Sequence, residues 1–588
     1  MCGLCGEVNR DGAVKLGQME AMARTMESRG PDGAGLYAQA HVALAHRRLS
    51  ILDLDTTSAQ PMVDPHLGLA IAFNGCIYNF RDLRRELEAK GYRFFSTGDT
   101  EVVLKAYHAW GTDCVRRFWG MFALAVWDLR TGQVVLARDR LGIKPLYLAE
   151  VGTSLRFAST LPALLAGGGI DTSIDPVALH HYMSFHAVVP APLTLLKGVR
   201  KLPPATILTL HPDGRRTQAI YWSVDVDAVP EDAGMGEEDW REAVLDVVRA
   251  SVDLRRVSDV PIGVLLSGGL DSSLIVALLA ELGQDDIRTF SVGFEAVGDV
   301  RGDEFQYSDL VAKLFATDHT KILVSPQRTL DALPDAIRAM SEPMMSHDSV
   351  GFYLLAQEVS RHVKVVQSGQ GADEIFGGYH WHAAMLTSND PAADYARLYF
   401  DRDHGEMIET LAPEMLGVDH SRSFVEEHFQ SHGRTALDKT LQIDTQIMLP
   451  DDPVKRVDNM TMAFGLETRV PFLDHRLVEL AARIPGELKA KAGGKHILKE
   501  AARRVLPAEV IDRPKGYFPV PALKYVRGPY LDFAREVLNQ DAARARGIFR
   551  RDYVDRLLAD PEANLTPKGH SKLWQICVLE QWLQSHAI

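Results

Sequence analysis

The sequence predicts two domains: an α+β domain, then an α/β domain built on a parallel sheet and ending in a mainly helical C-terminal part. Three observations point there. The 588 residues exceed what one hydrophobic core accommodates. Up to residue 222 the text is strand-rich, with alternating and β-branched runs. After residue 240, short buried strands alternate with loops and helical patterns, the signature of a parallel sheet. Between them, "SVDVDAVPEDAGMGEEDW" (223–240) is acidic, carries Pro and Gly and has no apolar period, so it reads as a linker. The expected domains are 2–222 and 241–588.

In the first domain, "FALAVWD-LRTG-QVVLARD" predicts a hairpin. "NFRDLRRELEAKG" predicts a helix, with Leu83 and Leu87 one turn apart and Gly91 as its stop; "EVVLKAYHAWG" predicts a second. In the second domain, "REAVLDVVRASVDLRR" and "SLIVALLAEL" read as helices, and "PIGVLL", "IRTFSVGF" and "VKVVQ" as strands. Residues from about 390 onward read as mainly helical.

Composition narrows the function. A formal charge of −14 argues against nucleic-acid binding, which needs a basic face. Apolar runs such as "MFALAVW" are far shorter than a membrane span, and no signal-peptide pattern opens the chain. Five cysteines in this length make no disulfide framework, so the expected compartment is the reducing cytoplasm. The Cys2/Cys5 spacing has no second Cys or His pair to complete a zinc site.

The strand "PIGVLL" runs into "SGGLDSS" (Ser267 to Ser273) and then a helix. Gly268 and Gly269 permit close backbone approach, and free N–H groups at a helix start attract phosphate. Asp271 offers a carboxylate suited to Mg²⁺. Gly-Gly alone would read as a tight turn; the whole motif resembles the pyrophosphate-binding loop of ATP pyrophosphatases. No Walker-type G-x-x-x-x-G-K-[ST] occurs. "SGQGADEIFGGY" (Ser368 to Tyr379) repeats the strand-then-glycine-loop pattern, with Asp373 and Glu374 as an acidic pair. Lys495 and Lys515 are candidates to neutralise phosphate charge.

In the first domain, Cys2 behind the initiator Met draws attention because an N-terminal cysteine carries nucleophile and base together: an α-amine of pKa about 7.7–8.0 beside a thiol of about 8.5. Asn74-Gly75 follows the run "LGLAIAF". It reads either as an oxyanion-stabilising pair or as a type I′ hairpin turn. Arg48 and Asp99 are suited to the carboxylate and ammonium ends of a free amino acid.

Together, "CGEV", "RGPDGAG", "HRRLSILDL", "FNGCIYN", "GDTE" and "DRLGIKPLY" resemble a class II, N-terminal-nucleophile (Ntn) glutaminase domain. "LLSGGLDSS", "FSVGF", "SGQGADEIFGGY", "DNMTMAFGLETRVPFLD" and "GGKHILKEA" resemble the synthetase domain of glutamine-hydrolysing asparagine synthetases. The resemblance covers essentially the whole chain. It implies an Ntn-hydrolase sandwich followed by an ATP-pyrophosphatase (adenine nucleotide α-hydrolase-like) domain. Cys2 would attack glutamine; Asn74 and Gly75 would hold the oxyanion; Arg48 and Asp99 would bind the glutamine backbone groups. ATP would lie against Leu265, Val292, Ser368 and Gly369, with its phosphates at Ser267, Gly268, Gly269, Asp271, Ser272, Ser273, Lys495 and Lys515. Mg²⁺ would be held by Asp271 and Asp373. Ammonia would pass through an internal channel to an acyl-adenylate, giving an amide, AMP and pyrophosphate. "ETRVPFLD" reads as structural, with a wall of the acceptor pocket as its further use.

Two positions depart from aspartate-using members. Cys76 stands where they typically carry glutamate, and Gln370 where many carry an acidic residue. Glutamine cannot act as a general base. Gln370 and Glu374 mark the acceptor region. The chain, including "HHYMSFHAVVPAP" (His180 to Pro192), most resembles the N-acetylglutaminylglutamine amidotransferases, which amidate a capped dipeptide to an osmoprotectant. That dipeptide is the expected acceptor, with free aspartate as the alternative; a homodimer is left open. Cys5 is expected to be a buried packing residue of the first strand.

Overall fold

The computed structural model describes all residues except Met1, 225–231, 233, 298–299, 431–434, 515 and 517–519. Two six-stranded antiparallel sheets form the N-terminal half. One runs in the order Val199–Lys201, Tyr147–Val151, Ser154–Ala158, Gly3–Asn9, Val42–Arg48, Gly33–Gln39. The other runs Arg216–Ile220, Thr206–Leu210, Val134–Arg138, Gly120–Asp128, Leu69–Ile77, Met62–Asp64.

Period-two alternation builds a four-layer sandwich. Leu4, Leu44, Ala70, Ala72, Ala123 and Ala125 face inward between the sheets, and these alanines allow the sheets to close. Cys5, Ala43 and Ala45 face outward beneath helix Leu16–Thr25, with Met19 and Met22. Ile71, Phe73, Phe122 and Leu124 face outward beneath helices Phe80–Ala89 and Asp99–Trp110. The predicted hairpin and both predicted helices are present, with Gly91 and Gly111 at positive φ just past the two helices. Cys5 is fully buried.

Asn74-Gly75 is not a hairpin turn. Strand Leu69–Ile77 continues through it, with Asn74 opposite Ala123 and Gly75 opposite Phe122. A Cβ on Gly75 would lie 2.2 Å from the Met121 carbonyl, so the glycine serves close strand approach.

In the C-terminal half, strands Asp318–Val324, Arg288–Val297, Ile262–Leu265, Val365–Gln367 and Glu467–Arg469 form a parallel sheet, with Val300–Gly302 added antiparallel. Helices Glu237–Leu254 and Leu270–Glu281 pack against it through Val244, Val248, Leu274 and Leu278. Residues 225–231 and 233 of the expected linker lie outside the described residues, and its last four residues already belong to helix Glu237–Leu254, opened by three acidic residues in its first turn. The three-residue strand Glu467–Arg469 interrupts the segment read as helical. Among the described residues, no helix is long and apolar enough to cross a membrane.

Candidate active sites

The first site surrounds Cys2, which is buried at the start of the first strand. Its N–H donates to Asn74 Oδ1 at 3.0 Å, and its carbonyl accepts from Arg29 Nε at 3.3 Å. Burial pushes the thiol pKa up. Cys2 lines a small pocket with Arg48, Gly75, Cys76 and Asp99. Asn74 is fully buried beside Cys2 and is not in the pocket wall; its Nδ2 faces Ser159 Oγ at 3.5 Å.

Asp99 opens helix Asp99–Trp110 and accepts the Ile77 N–H at 3.0 Å; burial lifts its carboxyl to about 6. Arg48 lines the pocket, but its guanidinium is not free for a ligand. It donates to the carbonyls of Asp55 at 2.7 Å and Leu52 at 3.4 Å, and to that of Asp53. A turn that lacks regular partners draws on the arginine fork to satisfy its carbonyls.

Two residues of this pocket come from the C-terminal half. Glu467 and Arg469 lie two apart on one strand and so share a face. Arg469 is fully buried; it donates to Glu467 Oε1 at 2.7 Å and to the carbonyls of Arg255 and Val257 at 2.9 and 2.6 Å, and its Nη2 stands 3.8 Å from Cys76 Sγ. "ETRVPFLD", expected as a wall of the acceptor pocket, does not line the cavity of the second site; its first charged pair, Glu467 and Arg469, lines the Cys2 pocket instead. The available signal was Glu-x-Arg inside an apolar run, an alternation that burial tolerates only with partners.

The second site lies at the C-terminal ends of the adjacent parallel strands Ile262–Leu265 and Val365–Gln367, where open α/β sheets bind ligands. A cavity of about 530 Å³ opens there, within the range of small-molecule sites. It is lined by Leu265, Ser267, Gly269, Asp271, Ser272, Val292, Ser368, Gly369, Gln370, Asp373, Glu374 and Lys495. Gly268 and Ser273 do not line it. Gly268 sits at φ 73° against Tyr307 and Ser308, where it turns the loop, and Ser273 is buried in the first turn of its helix. Lys515 lies outside the described residues. Arg513, which the sequence reading did not single out, lines the cavity and pairs with Glu304 at 3.1 Å.

The two glycine loops touch. A Cβ on Gly369 would lie 2.8 Å from Asp271 Cβ, so the glycine allows the contact. Lys495 Nζ stands 2.6 Å from Asp271 Oδ2 and 3.0 Å from Asp373 Oδ2. Burial alone would lower the lysine pKa; the two carboxylates outweigh it and keep the ammonium charged. Two carboxylates converging on one cation are the hard-oxygen donor set that Mg²⁺ requires. Glu374 is buried, accepts from Tyr379 OH at 2.8 Å, and is raised to about 7 by burial and then by the Asp373 charge.

The halves meet through buried ion pairs. Arg29 Nη1 and Lys144 Nζ reach Asp458 at 2.8 and 3.3 Å, and Lys201 Nζ reaches Asp451 and Glu342 at 2.7 and 3.2 Å. Helix Pro453–Met462 thus contacts the Cys2 side through Asp458, while its Arg456 lies 3.3 Å from Asp348, which lines the larger cavity.

Residues 243–584 match the asparagine synthase family and residues 1–222 the glutamine amidotransferase domain. The chain is 31% identical to asparagine synthetase [glutamine-hydrolyzing] 1 of Bacillus subtilis, over 99% of this chain and 96% of that protein. It is 31% identical to a putative asparagine synthetase of Mycobacterium tuberculosis, over 100% of this chain and 97% of that one. With asparagine synthetase B of Escherichia coli it shares 28% identity, over 93% and 88%. The chain belongs to the glutamine-hydrolysing asparagine synthetase family and is an ATP-using, glutamine-dependent carbon–nitrogen ligase.

Proposed function

We propose that the Cys2 pocket hydrolyses glutamine and that its ammonia is carried inside the protein to an acyl-adenylate formed in the larger cavity. The observation that carries this reading is the meeting of two glycine loops at adjacent parallel strand ends, with Asp271, Asp373 and Lys495 converging between them. In this reading Cys2 Sγ attacks the glutamine side-chain carbonyl once removal of Met1 frees its α-amine to take the thiol proton. Asn74 Oδ1 orients the Cys2 nitrogen, and the oxyanion accepts from the Gly75 N–H and from Asn74 Nδ2, which leaves its long contact with Ser159 Oγ to do so. Asp99 holds the α-ammonium. Arg48 takes the α-carboxylate by exchanging carbonyl partners in the 52–55 turn.

In the larger cavity the acceptor carboxylate attacks the α-phosphate of ATP and pyrophosphate leaves. Asp271 and Asp373 would hold Mg²⁺, which gathers the phosphate charge. Lys495 positions both carboxylates and faces the phosphates. Gln370 lines the cavity but cannot accept a proton, so Glu374 takes the proton from ammonia as the C–N bond forms, the acyl–oxygen bond to the adenylate breaks and AMP leaves. Helix Pro453–Met462, tied to the Cys2 side through Arg29 and to the larger cavity through Asp348, supports an ammonia path beside it.

The proposed acceptor is N-acetylglutaminylglutamine, on the strength of Gln370 and the resemblance to that subgroup. Free aspartate is the second reading, favoured by the names of the relatives. Pyrophosphate release with each acceptor decides between them: the account expects release with the capped dipeptide and little with aspartate. A clear preference for aspartate overturns the choice of acceptor and leaves the two-site scheme standing.

A further inference from the structure

A cluster of metal-ligating side chains lies away from both sites, where the two halves of the chain meet. His180 belongs to helix Pro176–Ser184 of the N-terminal half, His404 opens helix His404–Thr410, and Asp419 directly precedes helix His420–Gln430. Their ligand atoms all lie within 4.8 Å of one another. His180 Nε2 stands 3.1 Å from His404 Nδ1 and 3.8 Å from Asp419 Oδ1. We propose that His180, His404 and Asp419 form a site for one borderline divalent transition-metal ion of the Zn²⁺, Co²⁺ or Ni²⁺ class, which ties the glutaminase half to the C-terminal helices.

The hydrogen bonds around His180 accommodate binding through Nε2. Ser421 Oγ lies 2.9 Å from His180 Nδ1 and 3.1 Å from His181 Nδ1, and it donates to the His180 carbonyl at 3.5 Å. A hydroxyl has one proton. With that proton given to the carbonyl, the oxygen accepts from both rings, and in this tautomer His180 carries its proton on Nδ1 and a lone pair on Nε2 facing His404. This is the second-shell arrangement that orients a metal-binding imidazole. His180 is 1% exposed, so its ring is held in place by the packing around it. His404 becomes a ligand through its Nε2–H tautomer, which puts a lone pair on Nδ1.

The spacing suits a small ion. Two nitrogens at about 2.0–2.1 Å from a tetrahedral centre are about 3.3 Å apart, close to the observed 3.1 Å. Asp419 stands just before helix His420–Gln430, where its Oδ1 accepts the Arg422 N–H at 3.0 Å and lies 3.8 Å from His180 Nε2; at 35% exposed, its carboxylate can close on an ion with a small rotation. Two imidazoles with one carboxylate select Zn²⁺-like ions over Mg²⁺ or Ca²⁺, which take oxygen donors. Three protein ligands leave the fourth position to water on the exposed side. Because the ligands come from both halves, the ion acts as a clamp, separate from the Mg²⁺ expected with ATP.

The test uses the full-length protein after chelator treatment. Zn²⁺ is titrated by calorimetry, Co²⁺ by its visible absorption, and unfolding temperature is followed with and without Zn²⁺. The expected result is one tight equivalent, a tetrahedral-type Co²⁺ band and a Zn²⁺-dependent rise in unfolding temperature. His404→Ala and Asp419→Asn, both partly exposed, should each weaken binding by about tenfold or more and lose the temperature rise. Absence of a tight equivalent in the wild-type protein, or Zn²⁺ affinity and stoichiometry unchanged in both variants, overturns the site.

Discussion

Arg29 Nη1 lies 2.8 Å from Asp458 Oδ2, both side chains buried, and the same guanidinium holds the Cys2 carbonyl. One arginine therefore joins the nucleophile's backbone to a helix of the other half. A buried pair of this kind is costly to break from one side, because the remaining charge stays in the interior.

Arg29→Ala should cost about 3–5 kcal/mol of stability, seen in thermal or denaturant unfolding. It should also let glutamine hydrolysis run without matched amide formation. Burial raises the Asp458 carboxyl, but Arg29 and then Lys144 outweigh it, so its folded pKa is lowered. The stability it provides is complete above the unfolded carboxyl value of about 3.9 and lost as pH falls through the lower folded value. Acid unfolding below about pH 4 should therefore be less steep in the variant. Unchanged stability and tight coupling in Arg29→Ala would dispose of this role.

Arg469 brings the C-terminal half into the glutamine pocket, and the same strand reaches the second loop through the Ser368 N–H, which donates to the Arg469 carbonyl at 2.9 Å. Arg469→Lys removes the fork that holds Glu467 and two carbonyls. The glutamine KM should rise about tenfold or more while the KM for ammonia stays within about twofold, because the pocket loses shape at the Cys2 side. Equal effects on both nitrogen donors would assign Arg469 to general folding.

These sites were legible in the sequence to different depths. The loops Ser267–Ser273 and Ser368–Tyr379 announced themselves, since glycine-rich turns after apolar strands use only local chemistry. Asn74-Gly75 was ambiguous between turn and strand because the dipeptide suits both, and only the partner Phe122 decides. Glu467 and Arg469 were hidden, because their partners Cys76 and Arg255 are hundreds of residues away. Arg48 was singled out for its charge, but the turn carbonyls that occupy it carry no sequence signal.

Glu374 provides a pH signature. Its carboxyl is raised to about 7 by burial and the Asp373 charge, and a base must be ionised to act. Ammonia-dependent kcat should therefore fall as pH drops through about 7. Glu374→Gln should lower that kcat by about 10²–10⁴-fold and abolish the limb. A variant that keeps both rate and limb would move the base elsewhere.

The central claim, transfer of nitrogen from Cys2 to the second site inside one protein, is tested most directly by isotope competition. Turnover is run with amide-¹⁵N glutamine in the presence of excess unlabelled ammonium, using whichever acceptor supports pyrophosphate release, and the ¹⁵N fraction of the amide product is measured by mass spectrometry. The account predicts a product enriched in ¹⁵N well above the bulk ammonium pool, with label lost only in Cys2→Ala. Product labelled at the bulk ratio by the wild-type enzyme would contradict it.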